Sequence, residues 1–179
     1  MKKTRLYVCV FAVMIVLAAN SFSQEPSNPL SGGQKAIYGI VSAALIGGAE
    51  KMPEENYSFK PTPDVRSFGQ LVGHAANAQF MFCSVAAGEK NPNAVNVEQT
   101  KTSKADLVQA LKDGVDYCSK VYAAMTDAQA SQIVKFFGRD MAKLTVLSFN
   151  SAHSDEHYGN MVTYLRLKGI VPPTSEPKK

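Results

Sequence analysis

Histidine and cysteine are scarce in this chain, with three of each in 179 residues. No run of apolar residues reaches the ~20 that a membrane-crossing helix needs. No cluster of lysine and arginine stands out beyond the first few residues, so the electrostatic footprint of a nucleic-acid binder is missing. Strand-like alternation and internal repeats are missing too, which argues against sheet-based and solenoid architectures. What remains is a near-neutral, helix-patterned chain whose few chemically versatile side chains can be followed one by one.

The beginning reads as an export signal. Lys2, Lys3 and Arg5 precede an almost unbroken apolar stretch from Leu6 to Ala19, and small residues at Ser21 and Ser23 suit cleavage before Gln24. Cys9 lies within that stretch without the small residues of a lipoprotein site. Removing residues 1–23 takes three of the 19 basic residues and none of the 15 acidic ones, which leaves a net charge of +1. The expectation is a periplasmic or secreted protein with no stable membrane insertion after cleavage and no nucleic-acid partner. Cys83 and Cys118 are then the cysteines left. An oxidising compartment would let them pair, two buried thiols are the other reading, and the sequence does not choose between them.

Helical periodicity organises the rest. A polar spacer, 24–33, leads to a helix over Gln34–Met52 that Pro53 stops. After a connection bearing Pro61 and Pro63, Ser67 with Gln70 three positions on reads as a capping box for a helix reaching Ala87, with Gly88 at its end. A third helix opens at Ser103 and runs towards Met125. A short helix is expected over Ala128–Phe137, and a long one over Asp140–Lys168, closed by Gly169 and Pro172-Pro173. The tail, 174–179, is expected to be polar and disordered. The fold class is therefore all-α, a four-helix bundle over 34–173. Bundles of this kind build metal sites from inward-facing side chains.

His153 and His157 stand one turn apart on the last long helix, so both imidazoles leave one face. His74 lies on the second helix. Brought together, three imidazoles form three corners of a metal site that keeps an open position. Gln70 and Asn77, at i−4 and i+3 from His74, are candidates for hydrogen bonds that orient the rings. Asn150 and Tyr164 are expected near the mouth. Cys83 falls on the far side of the helix from His74 and is a poor ligand. His153-Ser154-Asp155-Glu156-His157 also matches the H-x-x-E-H pattern of one peptidase group, with Glu156 as base. That pattern needs a downstream carboxylate, and Glu176 in the tail is the only acid after His157.

Two stretches carry a family resemblance. One is Tyr57-Ser58-Phe59-Lys60-Pro61-Thr62-Pro63-Asp64-Val65-Arg66-Ser67-Phe68 leading to His74. The other runs from Ala152-His153 through His157-Tyr158-Gly159-Asn160 to Pro172-Pro173. The chain resembles the DinB/YfiT-like superfamily of four-helix bundles across residues 34–173. The resemblance implies an up-down-down-up helix order and often a homodimer. It also implies a divalent metal at His74, His153 and His157, commonly zinc or nickel, with manganese or iron as alternatives. Relatives include transferases and isomerases that use low-molecular-weight thiols. The expected function is a metal-dependent enzyme in which water or a thiolate acts on a small-molecule substrate, as a thiol transferase or a hydrolase. The alternative is a non-catalytic metal-binding module of the same fold. No catalytic acid or base is assigned.

Overall fold

A computed structural model describes residues 27–177; the export-signal expectation, residues 1–23, lies outside the described residues. Four long helices form the body: α1 (Pro29–Lys51), α2 (Phe68–Ala87), α4 (Lys104–Ala124) and α6 (Lys143–Leu167), with the single turns α3 (Val97–Thr100) and α5 (Asp127–Ala130) between them. Among the described residues, no helix is long and apolar enough to cross a membrane.

Helix directions follow from which ends meet. The start of α1 lies by the end of α4, where Asp127 accepts from Ser31 N at 2.8 Å, while Lys112 pairs with Glu50 at the other end. Tyr38 of α1 stacks on Tyr122 of α4 with ring centroids 4.1 Å apart. Gln34 donates to Ser151 of α6, and Gly48 faces Tyr158 and Met161, so α1 and α6 run the same way. Gln79 of α2 donates to Ser154 and Tyr164 donates to the Arg66 carbonyl, so α2 runs against α6. α2 and α4 are parallel and closely packed: a Cβ on Gly114 would lie 3.0 Å from the Gln79 side chain. The order is up-down-down-up, around a core that includes Leu45, Phe68, Leu111, Leu147 and Leu165.

Cys83 and Cys118 form a disulfide between the parallel pair, 35 residues apart in sequence. A closed loop of that length stabilises the fold by roughly 3–4 kcal/mol on the chain-entropy account. Asn150, fully buried, points its amide nitrogen at this layer and donates to Gln79 Oε1 at 3.2 Å and to the Tyr122 hydroxyl at 3.3 Å. It belongs to the core polar network, not to the mouth of a site.

Three expectations change. The short helix expected over 128–137 shrinks to α5, and a hairpin follows, β1 (Ile133–Phe136) against β2 (Arg139–Ala142). Its loop is Phe137-Gly138, with φ of 47° and 76°, so Gly138 serves a two-residue turn instead of stopping a helix. The hairpin takes residues 139–142, and α6 therefore starts at Lys143. The spacer expected over 24–33 gives way to helix at Pro29, whose missing N–H suits a first turn. There the Asp127 carboxylate supplies the cap from another element, accepting from the backbone of Leu30 and Ser31. These hydrogen bonds, led by those from Ser31, hold the Asp127 carboxyl below its usual pKa. Finally, the tail up to residue 177 folds back on the bundle. Thr174 hydrogen-bonds the Tyr158 hydroxyl at 2.8 Å, Pro173 covers Gly47, and Lys51 pairs with Glu176.

Candidate metal centre

The capping box on α2 forms as the spacing of Ser67 and Gln70 predicts, which sets the helix start and with it the position of His74 two turns on. Because α2 and α6 are antiparallel neighbours, His74 faces the His153–His157 pair. His153 Nε2 lies 3.3 Å from His74 Nε2 and 3.0 Å from His157 Nε2. One ligand atom from each ring falls within 4.8 Å of the other two. Nitrogens held about 2.0–2.1 Å from one ion sit about 3.3–3.4 Å apart at tetrahedral corners and about 2.9–3.0 Å at right-angled ones. Both of these spacings fall in that range, and the ligand atoms of His74 and His157 lie within 4.8 Å of each other. His157 is buried and the other two rings are half-buried.

Neutral rings are the form a metal needs, and the surroundings supply them. Burial is the main cause for all three. It lowers the pKa of His74, with the Arg66 charge adding to the effect and Glu98 opposing it. It lowers that of His153, helped by the neighbouring His74. It pushes His157 down to about 3, helped by His153 and His74.

The tautomer of His74 is set by a residue that helical spacing could not reveal. Glu98 Oε2 lies 3.2 Å from His74 Nδ1. An ionised carboxylate only accepts, so Nδ1 carries the proton and Nε2 keeps its lone pair for the centre. Glu98 Oε1 accepts from Arg66 Nε at 2.8 Å, so the carboxylate is itself held. The chain brings α3 against α2 through Gly73, where a Cβ would lie 2.7 Å from Glu98 Cα and 2.9 Å from its nitrogen. Asn77 fixes the start of α3, accepting from Val97 N at 2.9 Å and donating to Asn96 at 2.8 Å.

The two residues expected to orient His74 thus have other work. Gln70 closes the capping box, receiving the Ser67 N–H at 2.9 Å, and Asn77 anchors the turn that delivers Glu98. On the other helix, the Asn160 side-chain amide lies 3.4 Å from His157 Nδ1. His153 Nδ1 is buried with no hydrogen-bond partner; its ring rests between Phe82, 5.2 Å away, and Phe149, 6.3 Å away. Tyr164 does lie at the mouth, as expected. It lines a cleft of about 730 Å³ together with Arg66, Glu98, Glu156, His157 and Asn160. Cys83 is spent in the disulfide and takes no part.

Four long helices in up-down-down-up order, with three histidines converging between the second and the last, define a helical bundle of metal-site type. Residues 41–161 match the DinB superfamily, and the chain belongs to that family. Among curated proteins it is similar to YjoA of Bacillus subtilis, 27% identical over 125 residues, covering 68% of this chain and 79% of the relative. Among solved structures, a DinB-like protein from Bacillus cereus aligns with a TM-score of 0.70 at 18% identity, over 79% of this chain and 95% of that one. YjoA itself aligns with a TM-score of 0.65 at 24% identity, over 82% and 99%. These likenesses establish the fold.

Proposed function

We propose that this chain is an exported, metal-dependent enzyme of the DinB superfamily that acts on a small molecule. In this reading residues 1–23 are a cleaved signal, and His74, His153 and His157 hold one divalent ion. The observation that carries it is the convergence of three neutral imidazoles whose nearest Nε2 atoms are 3.0 and 3.3 Å apart, beside an open cleft. Without a cation the close nitrogens share a proton in N–H···N contacts; a cation would take that proton's place, and the donor set suits zinc or nickel, and also manganese or iron.

The bound ion would supply Lewis acidity, lowering the pKa of a water or a low-molecular-weight thiol that reaches it. The chain's own residues do the rest. Glu98 keeps the proton on His74 Nδ1, and burial keeps His157 neutral. Of the acids lining the cleft, Glu98 is committed to His74 and Arg66, which leaves Glu156 and Asp64 to receive a proton. Water as the attacking group makes the protein hydrolase-like, and a thiol makes it transferase-like.

Metal content by elemental mass spectrometry, on protein purified without chelator or histidine tag, tests the reading. About one equivalent is expected in the wild type and none in the His153→Ala/His157→Ala variant. Absence of metal after reconstitution with zinc, nickel, manganese and iron would overturn it. A structural role has its own support, since the ligands come from α2 and α6 and an ion would tie those helices together. Metal removal that melts the fold, with no turnover across thiol-acceptor and hydrolysis panels, would decide for that role.

A further inference from the structure

Beyond His153, away from the polar cleft, aromatic rings from α2, α6 and the hairpin cluster together. Phe82 and Phe149 touch the His153 ring, and Phe82 and Phe149 lie 5.3 Å apart. Phe136 of the hairpin closes against Phe149 at 5.4 Å, and Phe137 lies tilted against Phe136 at 4.2 Å. Phe82 and Phe136 are buried, as core aromatics should be. Phe137 and Phe149 are not: they are 67% and 43% exposed. The apolar surface therefore continues without a break from a proposed metal ligand to solvent.

Phe137 is also the residue least suited to its backbone. At φ 47° it occupies the first position of a two-residue hairpin turn that favours Asn, Asp or Gly there, and a bulky side chain in that region is strained. A turn selected for stability alone would carry Asn-Gly. Strain retained beside a site is a pointer to use. The inner ring of the hairpin, Phe136, is buried and anchors it, while Phe137 reaches Phe82 and Phe149 at 6.3 and 6.0 Å and keeps most of its surface in solvent.

We propose that Phe137 and Phe149 form an apolar subsite of the metal centre, so that the substrate carries an aryl or bulky alkyl group next to its metal-directed polar end. This rests on the metal reading above and narrows its substrate class. A molecule with its polar end at the triad would set its apolar end against these rings, which begin at the His153 ring itself.

The test compares two probes with the same metal-binding end, acetohydroxamate and benzohydroxamate, titrated calorimetrically into zinc-loaded protein of measured zinc content. Covering part of a phenyl ring predicts that the aryl probe binds about tenfold more tightly in the wild type. In Phe137→Asn/Phe149→Ala, compared at equal zinc content, that advantage should fall to about twofold or less, the ratio of the two probes cancelling any change at the ion itself. Phe137→Asn alone should keep or raise the melting temperature, because Asn suits the turn, while weakening benzohydroxamate. Bound zinc with no aryl preference, or a preference that survives the double variant, overturns the subsite and leaves the metal reading standing. Failure to bind zinc at all overturns both. Wild-type dimers that fall apart in the double variant, with the aryl preference absent, would instead assign the two rings to self-association.

Discussion

The two flanks of the histidine triad are built on opposite principles. Towards Arg66 and Tyr164 the site is wet and hydrogen-bonded: Glu98 grips His74, Arg66 grips Glu98, and Asn160 borders His157. Towards the hairpin it is dry. His153 has no hydrogen-bond partner for Nδ1, and on that side its ring is held by the rings of Phe82 and Phe149. The difference teaches that an imidazole can be aimed either by a directional bond or by shape, and that the two methods respond differently to substitution. A hydrogen bond also sets the tautomer and raises the basicity of the ligand, which packing cannot do.

That contrast can be broken at its root. Gly73→Ala should have the largest effect, because its Cβ would meet Glu98 backbone that cannot swing aside. Overpacking of this kind costs about 1–3 kcal/mol. Denaturant unfolding should show that loss, and metal titration should show weakened binding as the α3 turn is displaced. Next comes Glu98→Gln, expected to weaken zinc affinity by about 10–100-fold with the fold intact. Phe149→Leu, on the dry flank, should change it by no more than about twofold, as expected for a partly exposed site. Competition with a colorimetric chelator measures both, and equal losses would erase the distinction drawn between the flanks.

A subtler effect is the pH dependence of the metal-free protein. The three histidines titrate below their ordinary pKa of about 6.5 because of burial. Below that pH the unfolded chain takes up protons that the folded site refuses. Stability is therefore highest above about pH 6.5 and falls as the pH drops towards the folded value of about 3 for His157. Urea midpoints between pH 7.5 and pH 5 should decline in the wild type and flatten when all three histidines are replaced by asparagine.

Much of this arrangement was legible in the sequence. The long helices announce themselves through apolar periodicity, and Ser67 with Gln70 marks the start of α2 to the residue. The histidines were traceable because the chain has so few. Glu98 was not, since it sits in a one-turn element 24 positions from His74 and no local pattern connects them. Gly73 holds the only trace of that contact, a glycine inside a helix whose purpose shows once α3 lies on it. The hairpin escaped because four-residue strands on either side of a two-residue turn carry too short a pattern to read. The start of α1 escaped for another reason: Pro-Leu-Ser-Gly-Gly has spacer composition, and its cap, Asp127, comes from a different part of the chain.

The disulfide has a consequence for the connectivity of the molecule as a covalent object. The loop it closes, between Cys83 and Cys118, contains the whole crossover from α2 to α4 and therefore Glu98. This crossover, with its exposed residues around Asn91 and Pro92, is a stretch open to proteases. A cut there would sever the backbone yet leave both fragments chained to each other, with all three histidines still on linked pieces. The bridge thus turns a vulnerable link into a redundant one, and the molecule comes apart only when both the peptide bond and the sulfur bond have been broken.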